Sequence, residues 1–99
     1  MIPLLLMLQA VTIPHASVAQ YGMGTRTCAV VKAEAAEARA SWILGFWTGL
    51  NAAFGRSVGR TTTPQIIVEE IERRCATVPE RTLAEVTLAT YSQAATRGR

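Results

Sequence analysis

Apolar and polar positions along this chain follow helical rather than strand spacing. The pattern is clearest from Ser41, where Trp42, Phe46, Leu50 and Phe54 recur every fourth residue and Ile43 and Trp47 form a parallel row beside them. This spacing predicts a long helix with a wide apolar face. Gly45 and Gly49 fall four apart on another stripe, where they would let a neighbouring backbone approach closely, in a soluble bundle or at a dimer seam. Upstream, Thr27 is a candidate N-cap for a helix from Cys28 to about Glu37. Ala29, Val30 and Ala33 would face inward, and Lys32, Glu34 and Glu37 would stay in water. The alanine-rich sequence leaves open whether this helix continues past Arg39 or breaks near Ala38. Before it, Tyr21-Gly22-Met23-Gly24 reads as a flexible lead-in.

Residues 55–62 carry the glycines and arginines of a loop, and Gly55 suits a helix stop. Thr63 and Pro64 form an N-cap and a first-turn proline, which opens the next helix. Its inner line is Ile67, Val68, Ile71, Cys75 and Val78, and Glu69–Arg73 and Glu70–Arg74 are expected as i,i+4 pairs on its outer face. Pro79 ends it. Thr82-Leu83-Ala84-Glu85 has the form of a capping box for a last helix, docked through Leu83, Val86, Leu88 and Tyr91.

The first residues change the picture of where the chain works. Ile2 to Ile13 is apolar, has the length of a signal-peptide core, and is followed by Ser17-Val18-Ala19, with small residues suited to cleavage after Ala19. No Lys or Arg precedes the run, and a buried core helix is the competing reading. The expectation is a signal peptide over residues 1–19 and a single helical domain over residues 20–99, periplasmic or secreted. A core this small usually needs a staple. The chain has two cysteines, Cys28 and Cys75. They form either a disulfide or two separate buried thiols, and export favours the disulfide.

Charge and composition then exclude several functions. The formal net charge is +3, carried by nine arginines and one lysine against seven glutamates, with no aspartate. These charges are interleaved along the chain, unlike a nucleic-acid-binding face, so no nucleic acid is expected. The uncharged run Ala40 to Gly55 is short for a bilayer span, so no stable membrane insertion is expected, although a membrane-associated helical protein remains a third reading. The single histidine, His15, lies in the removable segment. Without it, the mature chain has no Ser–His or Cys–His pair and too few ligands for a tetrahedral zinc site. The expectation is a non-enzymatic protein with no catalytic residues, no metal and no cofactor. An acid response would come from glutamates titrating near pH 4, not from an imidazole.

The motifs around the cysteines resemble the HdeA/HdeB-like family of small periplasmic acid-stress chaperones. Thr27-Cys28 is similar to that family's opening, Leu44-Gly45-Phe46 up to Asn51 to its central helix, and Ile71 to Leu83, with Cys-x3-Pro-x3-Leu, to its second cysteine block. The resemblance implies an all-α fold, a small orthogonal bundle of about four helices closed by one disulfide, Cys28–Cys75. It implies a homodimer at neutral pH that opens in acid and holds unfolded clients. The partner or dimer surface would fall on Trp42, Ile43, Phe46, Trp47 and Leu50. The absence of aspartate, the arginine-rich balance and the two helix glycines depart from the family. A second group is similar: small periplasmic immunity proteins that block a secreted effector of type VI secretion. There the loop Arg56 to Arg60 would enter the effector's cleft.

Overall fold

The computed structural model describes residues 22–98. The expected leader, its cleavage after Ala19 and the competing core helix lie outside the described residues. The described chain is all-α. A 3-10 turn, Gly22–Thr25, leads into four helices: α1 (Cys28–Val31), α2 (Ala36–Phe54), α3 (Pro64–Thr77) and α4 (Leu83–Thr96).

Local chemistry sets most of the boundaries. The Thr63 hydroxyl accepts from the Ile66 N–H at the start of α3, and Pro64 fills the first turn, where its missing N–H is not needed. Thr82 and Glu85 complete a reciprocal capping box on α4, with the Thr82 N–H donating to Glu85 at 2.9 Å and the Glu85 N–H donating to Thr82 at 3.1 Å. α2 stops at Gly55, which takes a left-handed φ of 62° that most residues resist.

The expected helix from Cys28 to Glu37 is instead a single turn. Its N-terminal groups are tied to the α3–α4 connection: Cys28 N–H donates to Arg81 O at 2.7 Å and Ala29 N–H to Pro79 O at 3.0 Å. Leu83 N–H returns a bond to Arg26 O at 3.0 Å, which makes a small antiparallel bridge between Thr27 and Thr82. Arg39 then holds the break after α1. Its guanidinium donates to the carbonyls of Lys32 and Glu34 and to the Glu72 carboxylate at 2.9 Å. The Lys32 carbonyl is at the C-cap of α1, where intrahelical partners run out, and the Glu34 carbonyl lies in the connection to α2. The lead-in is also ordered differently from expectation. Gly24 is buried, and a Cβ placed there would lie 2.0 Å from the Trp42 ring, so only glycine lets the edge of that ring approach the turn.

The core is Cys28, Val31, Ile43, Trp47, Val58, Ile71, Leu83, Val86 and Tyr91. The stripe of α2 that enters it is the Ile43–Trp47 row, continued by the half-buried Leu50 and Phe54. α4 contributes more than its large side chains. Ala84, Thr87 and Thr90 are buried too, and the two threonine hydroxyls donate to the carbonyls four residues back, each at 2.8 Å. Burial of those hydroxyls therefore leaves no polar group unpaired. On α3, Glu70 and Arg74 pair at 2.9 Å, but Glu69 and Arg73 do not; Glu72 serves the interhelical pair with Arg39 instead.

Candidate functional site

The two cysteines are bonded, with an S–S distance of 2.06 Å and a Cα–Cα distance of 5.3 Å. The bridge joins α1 to the last turns of α3. It closes 47 residues of separation, and α2 lies within that loop.

The five residues expected to form a client or dimer surface do not form one continuous surface in this fold. Ile43 is fully buried and Trp47 is 5% exposed. Both are core residues, and the physical reason is their position: they lie on the side of α2 that meets Ile71 and Tyr91. Trp42, Phe46 and Leu50 are half-buried on the flank of that core. Trp42 and Phe46 stack, with ring centroids 4.9 Å apart and planes 18° from parallel. Trp42 rests on the Gly24 turn with its other edge. The accessible apolar feature of α2 is thus this stacked pair and Leu50, and the interior row lies directly behind it. Gly45 and Gly49 do not mediate a close approach: a Cβ at either would meet nothing within 4 Å.

Behind the flank lies a polar knot that sequence reading missed. Asn51 Oδ1 accepts from the Val58 N–H at 2.9 Å and from the Tyr91 hydroxyl at 2.8 Å, and Asn51 Nδ2 donates to Val58 O at 3.2 Å. Trp47 Nε1 donates to the same carbonyl at 2.7 Å. The Trp47 and Tyr91 rings meet edge to face at 5.0 Å. The loop after α2 is therefore pinned at Val58, which is buried, while Gly59 at φ 95° passes close over Trp47 and Ile67. An asparagine and an isolated valine within an expected loop carried no periodic signal. Burial raises the pKa of the Tyr91 hydroxyl above 10.0, and the nearby Arg56 guanidinium opposes that shift.

The charges are not evenly spread. Arg56 donates to Ala95 O at 3.2 Å, which brings the loop onto the end of α4, and a hollow lined by Gly59 also reaches Arg97. Arg56, Arg60 and Arg97 share this end, and none forms an ion pair among the described residues. Elsewhere in the described residues there are six cations and seven glutamates, so these three arginines carry the net positive charge of the described residues, although Glu70 and Arg74 line the same hollow as Arg97.

No group of three or more His, Cys, Asp or Glu gathers among the described residues, and none of the described helices is long and apolar enough to cross a membrane. Comparison of the chain with family models, with curated proteins and with solved structures returned no match.

Proposed function

We propose that this protein is a non-enzymatic holdase of the periplasm or another exported compartment, similar in role to the HdeA/HdeB-like family, which shields unfolding proteins in acid. The observation that supports this most directly is the stacked Trp42–Phe46 pair with Leu50 on the flank of α2, in front of the buried row Ile43 and Trp47. A modest loosening of α2 would join these residues into one apolar strip, a surface that soluble monomers rarely leave open. Acid supplies the loosening. Loss of carboxylate charge in acid leaves the nine arginines and one lysine uncompensated, and their mutual repulsion strains the packing of the helices. The disulfide restrains α1 and α3, so the protein opens without unravelling.

The test is suppression of client aggregation at about pH 2–3, with tryptophan fluorescence followed in parallel. The expected result is a red-shifted emission together with protection of the client, both reversed at neutral pH. A protein that keeps its neutral-pH emission in acid and leaves the client to aggregate is not a holdase of this kind. A second reading, inhibition of a secreted effector, rests on the uncompensated Arg56, Arg60 and Arg97 end. It requires a neutral-pH complex with one acidic protein that is lost on Arg60→Glu.

A further inference from the structure

A cleft of about 400 Å³ opens between α1 and α3, over the disulfide. That volume falls within the range of small-molecule sites, roughly 300–1,000 Å³. Its apolar walls are Ala29, Val31, Ile43, Ala76, Pro79 and Leu83 together with the bridge itself. The backbone offers a ligand little at this point. The N–H groups of Cys28 and Ala29 are already engaged by Arg81 and Pro79, so a sugar or an added peptide strand would find few partners. Of the charged residues at the rim, Arg39 and Glu72 neutralise each other at 2.9 Å. Lys32 is different. It is exposed at the rim and pairs with none of the chain's seven glutamates, all of which are described. The cleft therefore presents apolar walls and one net positive charge.

We propose that this cleft binds a medium-chain carboxylate, with the acyl chain lying along Ala29, Ala76 and Pro79 and the head group on the Lys32 ammonium. The chemistry selects among alternatives. An alkyl amine would be repelled by Lys32, an alcohol would forgo the charge-assisted bond, and a dianion would bring one charge more than the rim compensates. The site is separate from the aromatic flank of α2 and does not depend on the holdase reading.

The test is a titration of the oxidised protein at neutral pH with octanoate, decanoate, decanol and decylamine, each below its micelle-forming concentration. Binding is followed by calorimetry and mapped by amide shifts in NMR. The expected outcome is shifts clustered at Ala29, Lys32 and Ala76. Decanoate should bind about tenfold more tightly than octanoate, since each buried methylene is worth roughly a factor of three to four. Lys32→Gln, an exposed substitution that leaves the fold intact, should weaken decanoate about tenfold and leave decanol unchanged. Any of three results overturns the proposal: no decanoate binding, equal binding of decanoate and decylamine, or shifts centred on Trp42 and Phe46 instead of the cleft.

Discussion

Asn51 shows how much one side chain can organise. It reads in sequence as a polar residue near the end of an apolar helix, and its carbonyl oxygen in fact ties the loop to α4. Truncation to alanine would leave the Val58 N–H and the Tyr91 hydroxyl without partners. Asn51→Ala should cost about 2–3 kcal/mol in urea denaturation, and the Trp47 emission should shift as Val58 loosens. Tyr91 adds a pH dependence at the alkaline end. Its folded-state pKa lies above 10.0, so the unfolded chain releases the proton first. The stabilisation is fully present below about pH 10 and is lost as pH climbs through the folded value. Tyr91→Phe should flatten that alkaline decline while lowering neutral-pH stability by about 1 kcal/mol, read from denaturation midpoints across the range. Neither role was legible in the sequence. A hydrogen-bonded knot between positions 40 residues apart leaves no local periodicity, whereas the buried Ile43 and Trp47 announced themselves as apolar and left only their direction open.

Element boundaries were legible wherever a short-range device sets them. Gly55 stops α2, Thr63-Pro64 opens α3, and Thr82 with Glu85 opens α4, because each device acts within a few residues of itself. Thr82→Ala should therefore cost about 1 kcal/mol and raise amide exchange in the first turn of α4, with little change in the rest of that helix. The length of α1 was not legible for the opposite reason. Alanine-rich sequence tolerates a helix through residues 32–38, and the break is imposed from outside: the Pro79 and Arg81 carbonyls and the bridge to Cys75 fix where α1 starts, and Arg39, anchored on Glu72, takes the Lys32 and Glu34 carbonyls at its end. The same holds for the flank of α2. Which aromatic row turns inward depends on where α4 lies, and the outer row is itself packed at several points, Trp42 on the Gly24 turn and Leu50 and Phe54 against the core.

At the scale of the molecule the question is what keeps so small a core closed when its charges are disturbed. Small native domains retain roughly 0.05–0.15 kcal/mol per residue, so any single large term dominates. The disulfide is such a term. Closing a loop of 47 residues' separation contributes about 4 kcal/mol by restricting the unfolded chain. The ion pairs contribute far less each, because Arg26–Glu34 is solvent-accessible and Arg74–Glu70 and Arg39–Glu72 are only partly shielded. Acid should thus weaken the fold in many small steps, while removal of the bridge weakens it in one. The double variant Cys28→Ala/Cys75→Ala should lose about 4 kcal/mol at neutral pH in urea denaturation and should unfold completely at about pH 3. The oxidised protein at that pH should retain helical circular dichroism while its tryptophans become accessible to quenchers. If the double variant matches the oxidised protein in both conditions, the restraint lies in the packing of α2 against α4, and acid opening would have to proceed through that contact instead.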